Sequence, residues 1–179
     1  MLITKIFFDL DETLTHVFLP TMNEEGAIPF SYEFESQTFS NWVFKIRDNV
    51  KELIKEARDK VGHDNVYILT ASVRSYATSI NIAGDLGFND TNIICREDLK
   101  SFKQGTNPEL VSCIQKTRNI LIDNLPARDN KDKISFLNVK KGDYFQVYNY
   151  YAYPLDDDNF VEETRTAIKS ASKCKTQPF

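Results

Sequence analysis

The sequence predicts an α/β fold in which a doubly wound parallel sheet carries a small β-hairpin insert after its first strand. Short apolar runs rich in Ile, Val and Phe recur along the chain, and they lack strict alternation with polar residues. Such runs are typical of strands that are buried on both faces. Segments with apolar residues at helical spacing separate the runs, and this alternation of strand and helix indicates a parallel sheet flanked by helices.

The predicted strands of this sheet are Ile3–Phe8, Val66–Leu69, Asn92–Cys95 and Asn119–Ile122. Apolar spacing with capping and stop residues predicts three helices between them: Val50–Val61 between Asp48 and Gly62, a second from about Tyr76 to Gly87, and a third that starts at Pro108 after an Asn107 cap. A late strand within Asp143–Pro154 and a closing helix from Asn159 to about Ala171 complete the prediction.

Residues 15–44 interrupt the alternation and form the predicted insert. They show no helical pattern, and they carry seven large aromatic rings among proline and glycine turn signals. Seven rings are too many for a solvated loop, so we expect some of them to pack on the domain. The alternative is that one or two rings, with Phe18, Tyr32 and Phe34 as first candidates, stay exposed as a wall beside a binding crevice.

The length and composition are those of one globular domain, which we expect to span residues 1–179. The three cysteines are odd in number and widely spaced, which argues against a disulfide framework and favours a reduced, cytoplasmic setting. No apolar stretch approaches the ~20 residues of a membrane span, and the first residues lack a signal-peptide pattern. The net charge of -4 has the wrong sign for general nucleic-acid binding.

Acidic residues cluster directly after the first predicted strand, in the segment KIFFDLDETLTH. Asp9 and Asp11 are two residues apart, so their side chains can lean toward the same space at a strand end. Thr70 and Asp123 each end another predicted strand, and the carboxyl ends of parallel strands meet in one crevice. Each residue alone also fits a solvated loop, a cap or a turn. Together they indicate a site where a metal ion or another positive centre offsets the carboxylates.

Three segments, FFDLDETLTH, ILTASVRSYA and ILIDNLP, resemble the first, second and fourth motifs of the haloacid-dehalogenase-like phosphatases. Within that superfamily they are most similar to the NLI-interacting-factor-like group, typified by phosphatases of the RNA polymerase II C-terminal domain. The specific features are the D-L-D-E-T-L segment, Tyr76 and Ala77 after T-A-S, and Asn124 and Pro126 after Asp123. The resemblance covers about residues 2–126.

The resemblance implies a Rossmann-like domain that hydrolyses a phosphomonoester through an aspartyl phosphate on Asp9. Asp11 would protonate the leaving oxygen and then deprotonate the attacking water. Mg²⁺ would be held by Asp9, the backbone carbonyl of Asp11 and Asp123, with Asn124 nearby. Thr70 would offer its hydroxyl to the phosphate.

The third motif of the resembled phosphatases is a lysine that balances the phosphate and the attacking carboxylate. Lys103 is the predicted residue because it lies just before the helix capped by Asn107, and Lys100 and Lys116 are the second and third candidates. Each of the three also fits a solvated surface lysine. Arg74 follows the second motif and could touch phosphate, although a position on a helix surface is the ordinary expectation.

Three functions remain open from the sequence. The first is a phosphatase that acts on phosphoserine or phosphothreonine in proteins, which the group resemblance favours. The second is a phosphatase of small metabolites, nucleotides or nucleic-acid ends, because these motifs do not encode the leaving group. The third is a non-catalytic binding module. A phosphorylation-switched receiver domain is disfavoured, because its acceptor aspartate lies on a middle strand where this chain reads YILTAS.

Overall fold

The computed structural model describes residues 3–151 and 157–171. Within these ranges the strands are β1 Thr4–Phe8, β2 Thr15–Phe18, β3 Ile28–Phe34, β4 Gln37–Ile46, β5 Val66–Leu69, β6 Ile93–Ile94, β7 Arg118–Asp123 and β8 Tyr144–Gln146. The α-helices in the same ranges are α1 Val50–Val61, α2 Arg74–Ala83, α3 Arg96–Gln104, α4 Pro108–Gln115, α5 Lys131–Leu137 and α6 Asp158–Ser170.

The main sheet has five parallel strands in the order β6-β5-β1-β7-β8. The central strand β1 pairs through Phe8 with Ile68 of β5 and with Ile122 of β7. Successive side chains of β1 point to opposite faces, so Phe8 packs in the cluster with α1, α2 and α6, and Phe7 packs in the cluster with α3, α4 and α5. Helices therefore cover both faces, and the predicted doubly wound α/β fold is confirmed.

The predicted element boundaries differ from the structure mainly at helix ends. Strand β5 and helix α1 have the predicted bounds, but the cap of α1 is Asn49 rather than Asp48. Asn49 adopts a left-handed φ of 64°, a conformation that asparagine tolerates better than most residues. Helix α2 ends at Ala83 with Gly84 as its cap, before the predicted stop at Gly87.

Helices α3 and α5 are additional to the prediction. Helix α3 reads REDLKSFKQ and buries only Leu99, so its apolar periodicity is weak. Helix α5 has seven residues and offers too short a window for a helical pattern. Helix α4 begins as predicted, because the side chain of Asn107 accepts a hydrogen bond from the Leu110 amide at 3.3 Å and Pro108 follows as the first helical residue.

The insert is a three-stranded antiparallel sheet in the order β2-β4-β3, rather than a two-stranded hairpin. The hairpin of β3 and β4 turns through Glu35 and Ser36, both at positive φ, as a tight two-residue turn requires. Strand β2 pairs with the other side of β4 and places Val17 opposite Phe44. Phe44 and Phe30 meet edge to face with their centroids 5.4 Å apart, so the insert packs into the main core.

The last part of the fold also follows the prediction. Strand β8 lies within the predicted segment Asp143–Pro154, although residues 152–156 lie outside the described residues. Helix α6 is the predicted closing helix. Among the described helices, none combines the length and the apolar character that crossing a membrane requires.

Candidate active site

The loop after β1 holds the first acidic residues in a tight backbone arrangement. The amide of Asp9 donates to the Ile122 carbonyl at 2.9 Å, so Asp9 stays in register with β7. The Leu10 carbonyl then accepts from the Leu14 amide at 2.9 Å, while both leucine side chains are fully buried. Glu12 takes a left-handed φ of 60° within this turn. The chain therefore reverses directly at the carboxyl edge of the sheet and turns into β2.

Three charged side chains meet at this edge. The ammonium of Lys133 lies 2.6 Å from Asp9 Oδ1 and 2.7 Å from Asp123 Oδ2. All three side chains are buried, with 6%, 7% and 0% of their surface exposed for Lys133, Asp9 and Asp123. Asp9 Oδ2 in turn accepts a hydrogen bond from the Thr13 hydroxyl at 3.1 Å. Both oxygens of the Asp9 carboxylate are therefore held in fixed directions.

One lysine does not balance the negative charge of this site. Burial raises the pKa of Asp9 to about 7, against the opposing attraction of Lys133 and with further repulsion from Asp123 and Asp11. Burial alone would lower the pKa of Lys133, but the two carboxylates that it contacts raise it, so the ammonium stays charged. Two carboxylates in contact with one ammonium, with Asp11 nearby, leave an excess of negative charge, which a further cation would offset.

The predicted lysine is not the one beside Asp9. Lys103 is exposed and pairs with Asp132 at 2.7 Å, and Lys100 and Lys116 are also exposed. The prediction that Lys103 faces Asp9 is therefore wrong, and Lys133 of α5 occupies that position. The resemblance that guided the prediction ended before α5. A signal was nevertheless present, because Lys133 is three and four residues before the apolar Phe136 and Leu137 and so shares their buried face.

Asp11 lies on the opposite side of the loop from this ion cluster, with its carboxylate toward the end of β5 and the start of α2. Its Oδ2 accepts from the Ser72 hydroxyl at 2.8 Å and from the Thr70 hydroxyl at 3.4 Å. Its Oδ1 accepts from the Tyr76 hydroxyl at 2.5 Å. Thr70 is buried and also accepts from the Ser72 amide at 3.0 Å. The structure thus brings Asp9, Asp11, Thr70 and Asp123 to one edge, as their spacing predicts.

Asn124 closes the site on the side of β7. Its amide group has one terminal atom 3.1 Å from Asp9 Oδ2 and 3.2 Å from the Asp11 carbonyl oxygen. As nitrogen, this atom donates to both oxygens. As oxygen, it joins the Asp9 carboxylate and the Asp11 carbonyl in a group of three hard oxygen donors, the ligand type that Mg²⁺ prefers. The donor set therefore fits Mg²⁺.

The three donors of this set are not all metal-binding side chains, because one of them belongs to the backbone. Among residues 3–151 and 157–171, no three carboxylate, imidazole or thiolate side chains are grouped so as to hold a metal. Here one oxygen is a backbone carbonyl and another is an amide, as is common for hard cations. The Asp123 carboxylate is the nearby acid, and in this structure it contacts Lys133 at Oδ2 and the Leu125 amide at Oδ1.

The aromatic residues of the insert separate into buried and accessible rings. Phe18 is only 3% exposed, so it packs on the domain and the alternative that its ring forms an exposed wall is wrong. Tyr32 and Phe34 are partly exposed and line a cavity of about 250 Å³ that also includes Asp11 and Arg96. The same two rings line a larger groove of about 730 Å³ between β3 and α2. Asp11 therefore opens onto a path bounded by the insert.

Arg74 does not reach this cavity as a free cation. Its guanidinium lies 2.5 Å from the Asp98 carboxylate and donates to the Ile93 carbonyl at 3.0 Å. Arg96 is different, because it donates through Nε to the Ala71 carbonyl at 2.8 Å and is exposed. The sequence pattern pointed to Arg74 and not to Arg96, although Arg96 directly follows the predicted strand Asn92–Cys95.

The segment after β8 completes the site and was not predicted to do so. The Tyr150 amide donates to the Glu12 carbonyl at 2.7 Å, and the Asn124 side-chain amide lies 3.0 Å from that of Asn149. Arg47, directly after β4, donates to the Tyr148 carbonyl at 2.8 Å and to the Thr13 carbonyl, in the loop after β1, at 3.3 Å. Long-range backbone contacts of this kind leave no pattern in the sequence.

Two structures of Fcp1 are among the solved structures that share this fold. One is described as Fcp1, an essential RNA polymerase II CTD phosphatase, and its sequence is 17% identical to this chain. The superposition covers 92% of this chain and 48% of the Fcp1 chain, with a TM-score of 0.51. The other is a fission yeast RNA polymerase II CTD phosphatase Fcp1 variant bound to beryllium fluoride, at 15% identity, 93% and 50% coverage and a TM-score of 0.53. The chain spans about half the length of these proteins. At such identities the likeness shows the fold alone.

Sequence comparison supplies the family. No curated protein matches the chain significantly. The sequence profile of the NLI interacting factor-like phosphatases, in contrast, matches residues 4–172, which is nearly the whole chain. This range includes the loop of Asp9 and Asp11, the Asp123 strand and the helix of Lys133. The chain therefore belongs to the NLI interacting factor-like phosphatase family.

Proposed function

We propose that this chain is a Mg²⁺-dependent phosphatase that hydrolyses a phosphomonoester through an aspartyl phosphate on Asp9. The observation that carries the proposal is the buried contact of Asp9 with Lys133, beside Asp123 and with Asp11 on the same loop. Membership of a phosphatase family supports the same activity. A non-catalytic binding module would not require a nucleophile, an acid and a cation to be grouped in this way.

In the proposed reaction, a carboxylate oxygen of Asp9 attacks phosphorus and the bond to the leaving oxygen breaks. Asp11 gives its proton to that oxygen, then takes a proton from the water that cleaves the aspartyl phosphate. Lys133 and Thr13 hold the Asp9 carboxylate in one orientation, which reduces the entropic cost of reaching an in-line geometry. The Lys133 ammonium also offsets charge on the phosphoryl oxygens.

The proposed metal ligands are Asp9, the backbone carbonyl of Asp11 and Asp123, with Asn124 beside them. When bound, Mg²⁺ supplies positive charge to the equatorial oxygens of the transferring phosphoryl group. The residues are suited to this role because the carboxylates outnumber the one buried ammonium. The raised pKa of Asp9, about 7, has the same origin, since burial and neighbouring carboxylates oppose its ionised form.

We propose phosphoserine or phosphothreonine in a protein as the substrate. The cavity beside Asp11 and the larger groove along β3 share Tyr32 and Phe34, so an extended peptide has a continuous surface to follow. Both rings offer flat apolar faces to such a segment. Family membership and the likeness to proteins described as CTD phosphatases agree with this choice.

The test is a panel of phosphopeptides, nucleotides and small phosphate esters, assayed with Mg²⁺ and with a chelator. We expect Mg²⁺-dependent release of phosphate, with the highest kcat/KM on phosphopeptides. A preference for nucleotides or metabolites would replace the protein substrate and leave the chemistry intact. Lack of any Mg²⁺-dependent hydrolysis by the folded protein would refute the phosphatase proposal and favour a binding module.

A further inference from the structure

The carboxylate of Asp11 is held at both oxygens by hydroxyl groups from outside its own loop. Tyr76, in the first turn of α2, donates to Oδ1 at 2.5 Å. Ser72, just before α2, donates to Oδ2 at 2.8 Å. An aspartate side chain has two rotatable bonds, so two donors on opposite oxygens select one orientation.

Tyr76 is itself held by the insert. Its ring meets the Phe30 ring at a centroid distance of 5.6 Å and an angle of 76°, and the Tyr32 ring at 5.2 Å and 90°. Both partners belong to β3, and edge-to-face contacts of this kind restrict a ring to one position. The hydroxyl of Tyr76 is therefore aimed at Asp11 by a second sheet that does not carry the attacking carboxylate.

Packing alone does not explain a tyrosine at this position. A phenylalanine ring would make the same contacts with Phe30 and Tyr32, so the hydroxyl adds its hydrogen bond to Asp11 to what packing requires. Burial, with the nearby Asp11 charge, raises the pKa of Tyr76 well above its ordinary value, so the hydroxyl remains a donor throughout the neutral range. It can orient Asp11 but does not compete with it as an acid.

We propose that Tyr76 is a positioning residue that fixes the Asp11 side chain where its protonated carboxyl group gives a proton to the leaving oxygen. The inference rests on the proposed phosphatase function and extends it, because the insert, by packing on Tyr76, would help to orient the acid–base residue Asp11. Ser72 secures the second oxygen of the same carboxylate. A general acid must lie within hydrogen-bond reach of the atom that it protonates, so freedom of the Asp11 side chain would reduce the reactive fraction.

The experiment compares wild type and Tyr76→Phe on aryl and alkyl phosphates of increasing leaving-group pKa. It measures kcat/KM, which reports steps up to release of the leaving group. Because loss of a hydrogen bond to a charged group costs a step that depends on it about 10- to 100-fold, we expect that loss for phenyl and alkyl phosphates. Dinitrophenyl phosphate needs no protonation of its leaving group, so its kcat/KM should change by less than about 3-fold.

Two further variants make the outcome specific. Tyr67→Phe removes a tyrosine hydroxyl from a ring that stacks on Phe7 in the other core cluster, and it should leave every substrate unaffected. Ser72→Ala should reproduce the dependence on leaving group through the second oxygen of Asp11. Thermal melting of each variant checks that the fold is retained.

The inference is overturned if Tyr76→Phe and Ser72→Ala lose no activity, or lose it equally on poor and activated leaving groups. An equal loss would mean that the hydroxyls support the structure of the site rather than the proton transfer. These results differ from a failure of the proposed function itself, in which the wild-type protein would hydrolyse none of the esters.

Discussion

A single buried ammonium, that of Lys133, lies within hydrogen-bond distance of two buried carboxylates. Removal of one partner from such a group leaves the others buried and uncompensated, which costs more than an exposed ion pair contributes. The surface pair of Lys103 and Asp132 is the natural comparison, because it joins α3 to the same helix that carries Lys133. Substitutions of Lys133 and Lys103 can therefore be compared to distinguish an effect on the site from an effect on the surface.

We predict that Lys133→Ala lowers the free energy of unfolding by about 3 to 5 kcal/mol at pH 8 with a chelator present, because Asp9 and Asp123 then repel each other without a counter-charge. Phosphatase activity should fall at least about 100-fold, since removing one preorganised charge from a site costs about that much. Lys103→Ala should change stability by less than about 1 kcal/mol and leave activity unchanged. Denaturant unfolding and steady-state kinetics measure both effects, and a larger loss in Lys103→Ala would contradict the assignment.

The two described cysteines differ in their exposure to solvent. Cys95 is fully buried, and burial raises the pKa of its thiol to about 12, whereas Cys113 is exposed on α4. A raised pKa keeps a thiol protonated and unreactive at pH 8. We predict that iodoacetamide labels Cys113 in the native protein and labels Cys95 only after unfolding. Peptide mass spectrometry follows each site, and equal native rates would contradict the packing around Cys95.

At the scale of elements, Arg47 connects three parts of the chain behind the site. It follows β4 of the insert, is 2% exposed, and donates to the Thr13 carbonyl in the loop after β1 and to the Tyr148 carbonyl after β8. Its Nε pairs with Asp157 at the start of α6 at 2.8 Å, and its guanidinium stacks 4.2 Å from the Phe160 ring centroid. One side chain therefore joins the insert, the loop after β1 and helix α6.

We predict that Arg47→Met destabilises the protein by about 2 to 5 kcal/mol, because it leaves the buried Thr13 carbonyl without its donor, which costs about 1 to 3 kcal/mol, and also removes the bonds to the Tyr148 carbonyl and to Asp157. Arg47→Lys should not restore stability, since an ammonium cannot reproduce the several directed bonds of a guanidinium. Activity below the melting temperature should fall in both variants as the loop of Asp9 loses support. Unfolding curves that match wild type would show that these connections are dispensable.

The residues and elements that could be predicted from the sequence are those marked by a pattern within a short stretch of the chain. Asp9, Asp11, Thr70 and Asp123 were predicted to converge because each follows or ends a strand of one parallel sheet, and strand β5 is recognisable from its apolar residues. Lys133 was not predicted, because it comes from a short helix whose approach to β7 depends on the tertiary packing of α5.

At the scale of the whole molecule, the site lies between two sheets with different roles. The carboxyl edge of the parallel sheet holds Asp9, and helix α5 supplies its counter-charge, Lys133. The antiparallel insert bounds the cavity and packs against Tyr76, whose hydroxyl donates to Asp11. The doubly wound fold could be predicted from alternating strands and helices, and an insert could be predicted from the aromatic residues that interrupt them. The third strand of the insert and the contacts of Tyr150 and Arg47 could not, because they depend on pairing between residues far apart in sequence.

The most direct test of the central claim is acid-quench labelling of the protein during turnover of a ³²P-labelled phosphate ester with Mg²⁺. We predict that label appears on Asp9, is identified by peptide mass spectrometry, and is lost in Asp9→Asn together with turnover, because an amide cannot act as the attacking carboxylate. The expected label is sensitive to hydroxylamine, as acyl phosphates are. Full turnover by a folded Asp9→Asn variant, or label confined to another residue, would contradict the account.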